Sequence, residues 1–187
     1  MFKLSVIIAS NRPGRKGPII ASWIYELARE NSAFETNLLD LAIINLPFLD
    51  EPKHPMMQQY EHEHTKNWSK LVGASDAFII VTPEYNFGFP ASIKNALDFL
   101  YKEWNFKPVA FVSYGGLAGG TRSVQMLKQV VTALKMMPVT EAVHLPFFTR
   151  HINAEDHFVP DEAAQKAAGT MMQELLKWTG ALKEMRK

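Results

Sequence analysis

The chain has 187 residues, of which 47% are apolar and 21% charged, and it contains no cysteine. That length suits one well-filled domain over residues 1–187. The composition excludes disordered and fibrous classes, and the lack of cysteine excludes a disulfide framework, thiolate metal sites and a cysteine nucleophile. A formal net charge of +1 supplies no global field that would draw the chain to nucleic acid or anionic lipid.

Met1 to Ala9 is short and apolar, without the charged start and cleavage site of a secretory signal. No window approaches the roughly 18 consecutive apolar residues of a membrane-spanning helix. A soluble cytoplasmic protein is expected. Lys3–Ala9 (KLSVIIA) reads as a β-branched strand that stops at the polar turn Ser10 to Gly14. Beyond it Ile20, Trp23, Ile24, Leu27 and Ala28 recur at helical spacing, with Pro18 suited to a first helical position.

Phe34–Leu41 reads as a second strand, Pro47–Pro55 as a loop and Gln59–Ala74 as a helix with Tyr60, Trp68, Leu71 and Val72 on its apolar face. Asp76–Thr82 is a third strand, stopped by Pro83, and a helix follows near Ala91–Tyr101. Pro108–Ser113 is the fourth strand, Thr121–Met136 a helix, Val139–Leu145 the fifth strand, and Pro160–Met185 the last helix. Several strands are apolar throughout, which marks a parallel sheet covered by helices on both faces. Five strands and five helices then fit an α/β, flavodoxin-like, doubly wound sheet in the order 2-1-3-4-5.

Such sheets bind ligands outside the carboxyl ends of their strands. Three unusual loops fall there. Ser10–Pro18 combines a hydroxyl, glycine amides and a helix start with Arg12, Arg15 and Lys16, and no acidic residue occurs before Glu26. That combination suits a phosphate dianion, or else it is a solvated basic turn. Thr82–Pro90 places aromatics and amides where a flat heteroaromatic ring could lie, or else it is an aromatic turn packed over the sheet. The segment from Ser113 to Arg122 has four glycines between Gly115 and Gly120, which permit close backbone approach to a ligand or simply a flexible connection.

The segments ASNRPGRKGP, TPEYNFGFPASIKNALDF and SYGGLAGGTRS, in this order and spacing, resemble those of the NADPH-dependent FMN reductases of the flavodoxin-like superfamily. The resemblance covers about residues 3–145. It implies an oxidoreductase that passes electrons from a nicotinamide cosubstrate, by preference NADPH, through FMN to a small acceptor such as a quinone. By the same resemblance Ser10, Arg12 and the turn Gly17-Pro18-Ile19 would hold the FMN phosphate, with Arg15 nearby. Pro83, Glu84, Tyr85 and Asn86 would line the ribityl chain and ring edge, and Ser113, Tyr114, Gly115 and Gly116 would close over the other side. Gly17 stands where many members have a phosphate-binding serine, so that contact falls to a backbone amide. The resemblance names no catalytic side chain.

An electron shuttle of the flavodoxin type and a non-catalytic FMN-binding regulator are the competing readings of the same fold. A homodimer or homotetramer is also implied, with Phe87, Phe89, Trp104, Phe106, Phe147 and Phe148 as apolar candidates for its surface, some of which core packing explains equally well. His62 and His64 sit two apart and on a helix would face different ways, a poor metal pair. The nine methionines are expected as core filler.

Overall fold

A computed structural model describes residues 1–186. Five strands, β1 (Phe2–Ile8), β2 (Phe34–Asp40), β3 (Ala77–Pro83), β4 (Pro108–Gly115) and β5 (Met137–Pro146), form one parallel sheet in the order β2-β1-β3-β4-β5. This is the expected flavodoxin-like topology. Register sets Ile8 beside Asp40 on one side and Val81 on the other, and Ser113 beside both Thr82 and His144. The carboxyl ends of all five strands therefore meet at one edge.

Strand side chains alternate between faces, and the two faces carry separate cores. Leu4, Val6, Ile8, Ile79 and Val112 pack on Ile20 and Ile24 of α1 (Gly17–Arg29) and on Met171 and Leu175 of α6 (Glu162–Met185). Ile7, Phe78, Ile80 and Phe111 pack on Trp68 of α3 (Glu63–Ala74), Leu97 of α4 (Ala91–Asp98) and Leu127 of α5 (Thr121–Ala133). Each fully buried aliphatic side chain contributes ~1.5–3 kcal/mol, which holds the sheet edge rigid beneath its loops. β2 buries only Phe34 and Leu39 because it lies at the sheet margin.

Several boundaries differ from the sequence expectation. There are six α-helices among the described residues, because Asp40 accepts a hydrogen bond from the Ala42 amide and caps one extra turn, α2 (Leu41–Ile44), which ends at a left-handed Asn45. α3 begins four residues later than Gln59, since Tyr60 turns aside to donate its hydroxyl to Glu103 at 2.9 Å. Leu71 is 43% exposed, and Thr65 takes the buried position instead. α4 ends at Asp98, so Tyr101 lies beyond it. α5 stops at Ala133 rather than Met136: Lys135 adopts φ 57°, and the amides of Lys135 and Met136 return to the carbonyls of Thr132 and Val131. That is a Schellman closure with lysine in the position usually held by glycine.

The structure decides three further expectations. Trp104 is fully buried against Trp68 and Phe78, so of its two readings it takes the core one. Only Met136, Met171 and Met172 are buried methionines, while Met1, Met56, Met57, Met126 and Met185 are exposed. His62 precedes α3 in extended conformation, so its ring stacks on His64 at 5.2 Å instead of facing away.

Candidate functional site

The first loop leaves β1 through Ala9 and Ser10, both fully buried. Gly14 turns it with φ 71°, and the Arg15 amide closes the turn on the Arg12 carbonyl. α1 then starts at Gly17 with Pro18 as its second residue, no side-chain cap and no acid in its first turn. Pro18 has no amide proton, and the Ile19 and Ile20 amides turn back to the Lys16 carbonyl. This start therefore presents the Gly17 amide and a positive dipole end to any anion above it. The Ser10 hydroxyl is buried, with no partner of good hydrogen-bond geometry among the described residues. A Cβ on Gly17 would collide with that hydroxyl and lie 2.7 Å from the Tyr114 hydroxyl. Ser10, Gly17 and Tyr114 thus converge on one point.

The cations of this loop do different things. Arg12 is exposed, with its guanidinium 5.9 Å from the centre of the Tyr85 ring. Arg15 is committed to Asp40 by two hydrogen bonds of 2.6 Å and to the Ser10 carbonyl at 2.8 Å. Lys16 reaches Asp156 at 2.9 Å.

The second loop is a two-residue hairpin. The Tyr85 and Gly88 amides each donate to the other's carbonyl at 2.9 Å, with Asn86 at φ 50° and Phe87 at φ 68° between them. Two successive left-handed residues make a type I′ turn, which ordinarily favours glycine at its second position. Glu84 is tied to the start of α5: its largely buried carboxylate accepts from the Arg122 side chain at 2.6 Å and from the Arg122 amide at 3.2 Å. The Arg122 guanidinium lies 4.0 Å from the Phe87 ring centre.

In the third loop the Ser113 hydroxyl donates to the Gly119 carbonyl at 2.7 Å and meets His144 Nδ1 at the same distance. Gly119 and Gly120 have φ of 57° and 82°. A Cβ at Gly119 would fall 2.9 Å from the Pro146 nitrogen, and one at Gly120 2.8 Å from Ser113 Cβ. Both positions require glycine for conformation and space. Tyr114 packs edge-on against Phe148 at 4.9 Å. Burial, the main cause, pushes its pKa up to about 12, so its hydroxyl is a proton donor at neutral pH.

Between these loops lies a cavity of about 390 Å³, within the usual range for small-molecule sites. Of the expected site residues, Arg12, Arg15, Pro83, Glu84, Tyr85, Tyr114, Gly115 and Gly116 line it. Ser10 and Gly17 lie next to it, at the Tyr114 hydroxyl. Pro18 and Ile19 face a separate groove along α1 with Trp23 and Phe158. Asn86 supplies a corner of the hairpin and Ser113 anchors the glycine loop, both outside the lining. Phe147, Phe148 and Thr149, which follow β5, complete the wall. The carboxyl-edge rule that singled out the other loops applies to β5 as well, but a run without glycine or charge reads only as a candidate apolar surface. Among the described residues no group of three His, Asp or Glu side chains is placed to hold a metal.

A doubly wound sheet with an anion-ready helix start at its carboxyl edge defines a flavodoxin-like cofactor-binding protein. The chain belongs to the NADPH-dependent FMN reductase family, whose model matches residues 2–150. It is 45% identical over 148 residues to an NAD(P)H-dependent FMN reductase of Schizosaccharomyces pombe, covering 77% of this chain and 74% of that protein. It is 35% identical to an NAD(P)H-dependent FMN reductase of a Nectria species, covering 100% of this chain and 98% of that one. Its fold is similar to the solved structure of FerB, a flavoenzyme NAD(P)H:(acceptor) oxidoreductase from Paracoccus denitrificans, with a TM-score of 0.76, 21% identity and coverage of 97% and 98%. The expected cofactors, FMN and NADPH, are those of this family.

Proposed function

We propose that this protein binds FMN in the 390 Å³ cavity and passes electrons from NAD(P)H to a small acceptor such as a quinone. The observation that carries the reading is the Ser10 hydroxyl, buried beside the Gly17 backbone and the Tyr114 hydroxyl, with no partner of good hydrogen-bond geometry among the described residues. A buried hydroxyl left unpaired is unfavourable by about 1–3 kcal/mol, and a phosphate oxygen removes that cost. The residues present fit the group. Ser10 and Tyr114 would donate hydroxyl protons, the Gly17 amide and the positive end of α1 would face the phosphate, and Arg12 would add a planar pair of donors. A serine side chain at position 17 has no room, so the contact there is through the backbone.

Bound in this way, FMN supplies the redox chemistry, accepting hydride from the nicotinamide and releasing electrons to the acceptor. The protein's own tasks are binding and orientation. Pro83, Glu84, Tyr85, Gly115 and Gly116 line the cavity, Gly116 with open space where a side chain would be. Tyr85, Phe147 and Phe148 give it aromatic walls. No side chain serves as a nucleophile, so none is assigned as catalytic.

We also infer that residues 1–187 act as one FMN-binding domain in a cytoplasmic homodimer or homotetramer. Among the described residues no helix is long and apolar enough to cross a membrane. Phe87 and Leu117, 64% and 83% exposed beside the cavity, give a second copy an apolar surface. Steady-state NAD(P)H oxidation with and without a quinone tests the function. Quinone-dependent turnover by the FMN-loaded protein supports it; FMN binding without turnover favours an electron shuttle. Equal affinity for FMN and riboflavin removes the phosphate assignment.

A further inference from the structure

Arg12, Arg15 and Lys16 line the cavity, and Arg122 and Arg150 touch its lining residues Glu84 and Phe147. Three of the five are paired with carboxylates, Arg15 with Asp40, Lys16 with Asp156 and Arg122 with Glu84. Among the described residues Arg12 and Arg150 have no carboxylate partner. Each lies over an aromatic ring of the cavity wall, Arg12 5.9 Å from the centre of Tyr85 and Arg150 4.7 Å from that of Phe147. A guanidinium on a ring face keeps its in-plane donors available while its position is fixed.

The two arginines follow β1 and β5, whose positions in the sheet are three strands apart, or roughly 14 Å at the usual spacing. They suit two separate anionic groups. FMN has a single phosphate, which Arg12 and the start of α1 accommodate. The Phe147–Arg150 unit is also well fixed. Phe147 is held at φ 48° by its amide bond to the Gly116 carbonyl at 3.1 Å, and the Arg150 amide returns to the Phe147 carbonyl at 3.0 Å. A left-handed phenylalanine persists only where its surroundings hold it, and such outliers gather at binding sites.

We propose that Arg150, seated on Phe147, binds a phosphate of the nicotinamide dinucleotide cosubstrate. This rests on the NAD(P)H-oxidising function proposed above. An arginine near an adenosine ribose accommodates a 2′-phosphate in other dinucleotide sites, while the pyrophosphate common to NADH and NADPH has the same chemistry. Comparing the two dinucleotides separates these sources.

The test is steady-state kinetics of the FMN-loaded wild type, Arg150→Gln and Arg150→Lys, each with NADPH and with NADH. Loss of a charge-assisted hydrogen bond should raise the KM for NADPH about tenfold to a hundredfold in Arg150→Gln. kcat, FMN affinity and thermal midpoint should stay at wild-type values, and Arg150→Lys should recover part of the loss. An unchanged KM for NADH assigns the 2′-phosphate, and an equal rise assigns the pyrophosphate. KM values within twofold of wild type for both dinucleotides overturn the proposal while leaving the proposed function intact. A wild type that binds FMN but oxidises neither dinucleotide overturns both.

Discussion

Arg15 and Asp40 face one another in a two-pronged ion pair, Nη1 to Oδ1 and Nη2 to Oδ2, each at 2.6 Å. The pair ties the loop after β1 to the end of β2, and Nη1 also donates to the Ser10 carbonyl. Arg15 therefore shapes the backbone that presents the Ser10 hydroxyl, while Arg12 is exposed and has no carboxylate partner among the described residues.

The two arginines should consequently separate in experiment. Arg12→Ala should weaken FMN binding by roughly tenfold to a hundredfold through one lost charge-assisted interaction, with the apoprotein's thermal midpoint unchanged. Arg15→Ala strands a carboxylate. The two side chains are 17% and 11% exposed, so the loss should lie near the low end of the buried-pair range, about 3 kcal/mol. For a chain of this size that lowers the midpoint by roughly 6–12 °C. Fluorescence titration and differential scanning fluorimetry check both, and the reverse pattern would show the assignments to be exchanged.

Gly17 should resist substitution because of its neighbours and not its own conformation. A Cβ there meets the Ser10 hydroxyl and, at 2.7 Å, the Tyr114 hydroxyl. Gly17→Ala should destabilise the apoprotein by ~1–3 kcal/mol, as overpacking does in tight sites. Ser10→Gly removes the nearest obstacle, so Gly17→Ala should be far milder in that background. Denaturant unfolding of the four proteins in the cycle measures the coupling. Strict additivity would mean that the Ser10 hydroxyl is not the obstacle.

The sheet and its carboxyl-edge loops were legible because runs such as Ala77–Val81 are apolar on both faces, a pattern few folds other than a parallel sheet accommodate. What stayed hidden depended on partners distant in sequence or on unusual backbone. Arg15 reads as a free cation until β1 pairs with β2 and brings Asp40 level with Ile8. α5 has no terminating glycine, because Lys135 itself takes the left-handed position. Phe87 and Phe147 do the same where glycine or asparagine would have signalled a turn, so the loop after β5 gave no warning of its place in the wall. The stacked His62 and His64 were misread because helical spacing was applied to a residue outside the helix.

Lys107 makes stability pH-dependent at the opposite end of the sheet. Its ammonium is buried and donates to the Val72 and Gly73 carbonyls at 2.8 and 3.1 Å, near the end of α3. Burial first, and then Arg186, lower its pKa from 10.5 to about 8, while Asp76 and Glu103 act the other way. Between those values the unfolded chain holds the proton and the folded chain releases it, so this contribution to stability rises with pH from about 8 to 10.5. The full rise is up to ~3 kcal/mol. Lys107→Met should lack it, so the stability difference between variant and wild type should move in favour of the wild type across that window. A difference constant with pH in urea unfolding would rule out the coupling.

The last prediction concerns the clasp between Glu84 and Arg122, which fastens the hairpin at the cavity wall to the first turn of α5. Arg122 gives its side chain and its amide to the one carboxylate, and its guanidinium covers Phe87 at 4.0 Å. Phe87 needs such support, because a left-handed bulky residue is unfavourable by roughly 1–2 kcal/mol, and an exposed guanidinium–ring contact returns only about 0.5–1 kcal/mol of that. Arg122 is 48% exposed but Glu84 only 8%. Arg122→Ala therefore leaves a largely buried carboxylate held by the amide of residue 122 alone, and global stability should fall by about 1–3 kcal/mol. A local effect should accompany it. The Tyr85 and Gly88 amides, which hold the hairpin by their mutual hydrogen bonds, should exchange with solvent several-fold faster in the variant. Adding Phe87→Gly, which takes up the left-handed backbone without strain, should restore slow exchange at Gly88. Hydrogen exchange followed by mass spectrometry or NMR reads each of these changes. Equal protection of the hairpin with and without Arg122 would show that the turn is held by its own backbone alone.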